Sequence, residues 1–201
     1  DSMSTISDIV ADVRVELDDV DETRFDDDTT LILPLIKRAF RRVENIGIRK
    51  GLDFVKSSTS LTLLEGNTTV ALPSDFKRDI GLYVGNEEVT KLPTDEFEQT
   101  TSGDYWRING SNIEFISEAT EDTTLKLWYY PSVDFSAYTT ATTTPWSGRL
   151  DDIVVDYVSM RLKNIDEYNT QMEQQLLAEM QENILEVFMP LTAVMQTMGG
   201  W

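Results

Sequence analysis

The chain reads as an α+β protein: a helical bundle formed by N- and C-terminal helices, with an inserted antiparallel β domain. Three observations predict this. Apolar residues recur at helical spacing over 4–50 and again over 148–189. Between them, over 52–130, the apolar period changes to two. Tight-turn residues punctuate that middle part at Gly66-Asn67, Gly85-Asn86 and Gly110.

Ile6, Ile9, Val10, Val13 and Leu17 place a first helix, with Thr5 and Asp8 spaced as a capping box. The acidic segment from Asp18 to Asp28 ends it. A second helix is expected over about 30–49, its apolar stripe built from Leu31, Leu35, Ile36, Ala39, Phe40, Val43 and Ile46. Pro34 fits only near the first turn, and Gly47 and Gly51 supply the stop. Arg38, Arg41, Arg42 and Asn45 share the opposite face.

Strands are expected at 59–64, 68–72, 80–84, 87–90, 105–109, 112–117 and 123–130. The first two are expected to meet at Glu65-Gly66-Asn67, and the next two at Gly85-Asn86. Residues 94–100 suit one helical turn capped by Thr94. A Thr-rich connection, 131–147, follows, its length unusual for a structureless loop. Phe135, Tyr138 and Trp146 should pin parts of it. A third helix is expected over 148–165 and a fourth from Glu167 to about Phe188, with Pro190 beyond its end. The last segment, 190–201, is apolar and carries no charged side chain. It is too short to make a core of its own, which suggests a docking tail that orders on a partner.

Composition narrows the chemistry. The 201 residues suffice for one domain or two small ones. No apolar run reaches the ~18 residues of a membrane span, and no membrane partner is expected. Asp1-Ser2-Met3-Ser4 lacks the marks of a signal peptide, and Met3 reads as an initiator behind two added residues. There is no Cys and no His. Zinc sites of the Cys/His kind, Cys nucleophiles, His acid–base chemistry and disulfides are thereby excluded. No phosphate-binding Gly motif occurs. No catalytic residue, cofactor or metal is assigned.

The net charge of −19 opposes general binding to nucleic acid, but it is unevenly spread. Eight of the thirteen residues from Glu16 to Asp28 are acidic, and six basic residues lie between Lys37 and Lys50. Either run suits a solvated surface. Alternatively, an acidic loop and a basic helix face meet neighbouring subunits. A calcium loop counted from Asp19 has Arg24 where Gly belongs and Thr30 where Glu belongs, so an EF-hand does not fit. Loose binding of divalent cations by the clustered carboxylates fits better than a specific calcium site.

The succession of segments carries a resemblance. A helical pair leads into Leu61-Thr62-Leu63, then Gly66-Asn67-Thr68-Thr69-Val70-Ala71-Leu72-Pro73-Ser74-Asp75-Phe76 and Val89-Thr90-Lys91-Leu92-Pro93. Tyr105-Trp106-Arg107-Ile108-Asn109-Gly110, Asn112-Ile113-Glu114-Phe115 and Leu125-Lys126-Leu127-Trp128-Tyr129-Tyr130 follow, and then Pro145-Trp146 and a helix. Over about 25–190 this order resembles the phage head–tail adaptor (head-completion or connector) proteins. The long charged N-terminal region and the Thr run at 139–144 depart from the pattern.

The resemblance implies a structural virion protein, not an enzyme. It implies a self-associated ring, commonly of twelve copies, beneath the portal protein. The ring would extend the DNA channel, pass DNA without sequence-specific binding, and offer a platform to tail proteins of the nozzle or tail tube. Assembly would take place in the host cytoplasm and the product would sit at the head–tail interface of the virion. The expected contact residues are Pro190, Leu191, Val194, Met195, Met198 and Trp201 of the tail, with Arg38, Arg41 and Arg42 at subunit contacts or facing the channel. The rival readings are a carboxylate-based cell-wall or capsule hydrolase and a β-rich tail or receptor-binding component.

Overall fold

The computed structural model describes residues 4–20, 24–25, 28–164 and 170–188. In chain order its main elements are α1 (Ile6–Glu16), α2 (Leu33–Lys50), β1 (Ser57–Leu63), β2 (Thr69–Ala71), β3 (Phe76–Val84), β4 (Glu87–Lys91), α3 (Thr94–Gln99), β5 (Tyr105–Asn109), β6 (Asn112–Phe115), β7 (Thr123–Pro131), α4 (Asp151–Lys163) and α5 (Thr170–Phe188). The chain divides into two compact units. One is Asp1–Phe54 with Asp134–Trp201, the other Val55–Val133. Helices from both ends of the chain thus share one unit, and the sheet is inserted between them in sequence.

In the helical unit, α1 packs on α4, α2 packs on α4 and α5, and α4 packs on α5. The apolar stripes read from the sequence form these contacts: Ile6, Ile9, Val13, Ile36, Phe40, Val43, Val154, Val158, Leu162 and Ile184 are all buried. Each such side chain contributes about 1.5–3 kcal/mol of apolar burial. Thr5 caps α1 as its spacing with Asp8 suggests. The Thr5 N–H and hydroxyl donate to the Asp8 carboxylate at 2.7 and 2.8 Å. These bonds, the backbone one foremost, hold the Asp8 carboxyl below the usual range.

A π-helical turn, Asp28–Ile32, leads into α2, with Pro34 in its first turn where a missing N–H costs least. Gly51 ends α2 in the left-handed conformation, φ 67°, and the Leu52 N–H reaches back to the Gly47 carbonyl at 2.9 Å. Gly47 itself lies buried inside the helix, so of the two candidate stops only Gly51 acts as one.

The Thr-rich connection is pinned to the start of the chain. Ile6 N–H donates to Thr142 O at 2.9 Å, Ser7 N–H to Thr140 O at 2.8 Å, and Thr144 N–H to Ser4 O at 2.9 Å. Thr5 and Thr143 form an antiparallel bridge. The aromatics do the rest: Phe135 stacks on Phe40 with centroids 5.7 Å apart, and Trp146 meets Phe40 edge-on at 6.0 Å. Just before α4, Trp146, Ser147 and Gly148 all have positive φ, at 56°, 59° and 72°.

The inserted unit is a seven-stranded sheet in the order β1-β7-β3-β4-β5-β6-β2. Its core holds Leu63, Leu82, Trp106, Ile113, Leu125, Leu127 and Tyr129. The Trp106 indole N–H donates to the Val89 carbonyl at 2.9 Å, which satisfies the one polar atom of that buried ring.

Several expectations are corrected here. The first two strands do not pair as a hairpin: β1 pairs with β7 and β2 with β6, so they stand at opposite ends of the strand order. The turn at Gly66-Asn67 instead bonds to the segment before β7, with Gly66 N–H on Ala119 O at 2.8 Å and Ala119 N–H on Asn67 O at 3.0 Å. The hairpins at Gly85-Asn86 and Gly110 do form. One pair is parallel: α3 carries the chain across so that β5 runs alongside β4 in the same direction. Strand β3 begins earlier than expected, at Phe76, through irregularities between Phe76 and Arg78 and between Asp79 and Gly81. Pro93, not Thr94, occupies the N-cap of α3. Helix α4 begins at Asp151, after the left-handed turn, and α5 is described from Thr170. The expected start at Glu167 lies outside the described residues.

Candidate functional site

The charged residues singled out in the sequence fall into distinct arrangements within the helical unit. The acidic run is not simply a solvated surface. Asp19 is buried, and its carboxylate accepts from Arg14 Nη1 at 3.0 Å and from the backbone N–H groups of Arg24 at 2.7 Å and Phe25 at 3.0 Å. Arg14 is buried as well. It also donates to the Phe25 carbonyl and, through Nε at 2.9 Å, to Asp28. Asp19 and Asp28 are therefore committed to closing the α1–α2 connection around one guanidinium. These two carboxylates already hold a cation of the chain, while Asp21, Glu22, Asp26 and Asp27, on which the expectation of loose cation binding also falls, lie outside the described residues. Among the described residues no group of three or more Asp, Glu, His or Cys is arranged to hold a metal ion.

The basic face of α2 divides by residue. Arg42 is half-buried and forms an ion pair with Glu173 of α5. Glu173 also accepts from the Tyr157 hydroxyl at 3.1 Å and from Arg161 Nη1 at 3.3 Å. Burial lowers the Arg161 pKa, and the like charges of Arg38 and Arg42 act in the same direction. One carboxylate thus serves two guanidinium groups with a third close by. Arg38 and Arg41 are exposed. Arg41 faces Asp134, whose carboxyl lies below the usual range chiefly through the Ser136 side-chain and backbone bonds and only weakly through Arg41. Lys37 donates to the Ser136 carbonyl at 2.9 Å. The expectation for this face was a contact with neighbouring subunits or a place facing the channel. Arg42 already has a partner within the chain, on α5.

Further carboxylates of α1, α4 and α5 gather elsewhere in the helical unit. Asp12 and Glu16 of α1 and Asp152 and Asp156 of α4 line one depression, and Glu16, Asp156 and Glu179 line a second. Burial raises the Asp156 pKa, with the charges of Glu16, Asp152 and Glu179 adding to it. Spacings of four residues, Asp12 to Glu16 and Asp152 to Asp156, were the available signal. At the first residue of α4, next to Asp152, Asp151 accepts from the Thr144 hydroxyl at 3.1 Å while burial raises its pKa.

In the inserted unit, Arg107 ties α3 to the β5–β6 hairpin. It is paired with Glu98 and with Glu114, Nε to Oε2 at 2.7 Å, and its guanidinium lies 4.5 Å from the Phe97 ring centroid. Pro190, Leu191, Val194, Met195, Met198 and Trp201, the expected docking residues, lie outside the described residues. No helix among the described residues is long and apolar enough to cross a membrane.

The class is that of the phage head–tail adaptors. Residues 4–195 match the family model described as SU10 adaptor protein, and the chain belongs to that family. No curated protein matches it.

Proposed function

We propose that this protein is a head–tail adaptor that associates with copies of itself into a ring beneath the portal, twelve copies being the expected number. The ring extends the DNA channel and gives the tail proteins a platform. The family match over 4–195 carries this reading. The same match favours an adaptor over the rival hydrolase and the rival receptor-binding component. Support from the chain itself is physical: apolar faces of helices from both ends are consumed in one shared core, while Arg38 and Arg41 remain exposed on α2. The tail from Pro190 to Trp201 is the proposed portal contact, because it carries apolar side chains and no charge.

The test is a chain ending at Met189. It should keep the circular dichroism and melting of the full chain yet fail to bind purified portal or to complete heads. Undiminished binding by the shortened chain would remove the tail from the proposal, and failure of the full chain to bind portal at all would remove the adaptor placement.

A further inference from the structure

The second acidic depression has features beyond its carboxylates. It is a cavity of about 250 Å³ between α4 and α5, bordered by the end of α1. Its apolar wall includes Ile153, Met160, Leu176 and Met180, and its carboxylates are Glu16, Asp156 and Glu179. The local cation, Lys163, approaches Glu16 only to 3.9 Å. Ser159 also lines the cavity. It is 2% exposed, and its hydroxyl oxygen has no hydrogen-bond partner among the described residues. A buried hydroxyl left unpaired costs about 1–3 kcal/mol, so the site is short of a polar ligand as well as of positive charge.

A long aliphatic stem ending in a cation suits such a cavity. The methylenes would lie along Met160 and Leu176 while the head meets the carboxylates. The chain itself presents that chemistry elsewhere. Arg38 is exposed on α2, stands beside Arg42 and Arg161, and has no ion pair among the described residues. Its neighbours Arg42 and Arg161 are gathered at Glu173, whereas the cavity's acids are Glu16, Asp156 and Glu179.

We infer that the cavity between α4 and α5 receives Arg38 of a second copy of this chain, giving a head-to-tail contact that joins neighbours in a closed ring. A contact between two different patches of one surface is heterologous, and repeated it closes into a ring or runs into a filament. The inference rests on the proposed self-association and specifies its contact. Attraction between the two faces should weaken with salt, since the pairs lie near the surface.

The chain has no native cysteine, so single cysteines report the contact directly. Asn183→Cys, at the cavity, and Arg41→Cys, one turn from Arg38, are placed on separate full-length chains, mixed in equal amounts and oxidised. Heterodimers should far exceed the half share that random coupling yields. Adding Arg38→Glu to the R41C chain should abolish the excess, and adding Glu179→Lys to the N183C chain should then restore it. A random ratio, no cross-link, or no restoration overturns the inference. Sedimentation of the wild-type chain separates the two claims. Larger species without the hetero-specific cross-link sink this contact but keep self-association, whereas a monomer at every concentration sinks both.

Discussion

Arg14 Nη1 lies 3.0 Å from Asp19 Oδ2, with both side chains almost fully removed from solvent. Removing one member of a buried pair leaves the other charge without compensation, at a cost of about 3–5 kcal/mol. Asp19→Ala should therefore destabilise the protein by about 3 kcal/mol, as read from urea unfolding. Val20→Ala, which trims an exposed neighbour, should change stability by less than about 0.5 kcal/mol. Equal effects from the two substitutions would show that Asp19 is no anchor.

Glu173 should behave as the shared counter-ion of α5. Glu173→Gln leaves Arg42 and Arg161 close together without their anion and should cost about 1–3 kcal/mol. Combining it with Arg42→Gln should cost less than the sum of the single changes, since the two residues share one interaction. Strict additivity in denaturant midpoints would contradict the arrangement.

The left-handed turn before α4 holds strain that glycine would relieve. Ser147 has φ 59°, a conformation costing an ordinary L-residue roughly 1–2 kcal/mol. Ser147→Gly should stabilise by about 0.5–1 kcal/mol and raise Tm by roughly 2–4 °C. Ser147→Val should do the reverse, because a β-branched side chain is least tolerated there. Trp146 shares the conformation, but its ring packs on Phe40 and Phe54, so replacing it would mix relief of strain with loss of packing.

The pH dependence of stability has two opposed parts. Asp151 and Asp156 have raised carboxyl pKa values, first through burial. For such a group the folded state binds the proton more tightly than the unfolded chain. The resulting stability is fully present below the unfolded pKa and is lost as pH rises through the folded one. Asp8, Glu114 and Asp134 are lowered, first through hydrogen bonds from Thr5, Arg107 and Ser136 respectively. Their stability is present above the unfolded carboxylate value and is lost as pH falls through the folded pKa. Asp151→Asn should therefore gain stability relative to the parent at neutral pH, with the difference shrinking as pH approaches the ordinary carboxylate range. Urea titrations at several pH values would show it, and a constant difference would refute it.

Much of this architecture was legible in the residues themselves. Helical spacing located α1 and α2, the Thr5–Asp8 pair marked the start of α1, and Gly85-Asn86 and Gly110 marked real hairpins. These are local effects, in which propensity and periodicity act within one or two turns of chain. Gly66-Asn67 shows the limit. The same turn chemistry reverses the chain there, but it cannot say which strands will pair, and β1 and β2 take β7 and β6 as partners instead. In the Thr-rich connection the aromatic anchors Phe135, Tyr138 and Trp146 were legible, but not its backbone bonds, which run to Ser4, Ile6 and Ser7, more than a hundred residues away.

By itself the sequence determined the order of helices and strands, the exclusion of Cys and His chemistry, and the pattern by which the chain resembles its family. Tertiary structure alone decided the fate of the charges. Eight acidic residues between Glu16 and Asp28 look alike as letters, yet Asp19 is buried on Arg14 while Asp18 is exposed. Likewise Arg42 is consumed by Glu173, and Arg38 is left exposed. The reason is that a charge acts through distance and desolvation in space, and neither is a property of position along the chain.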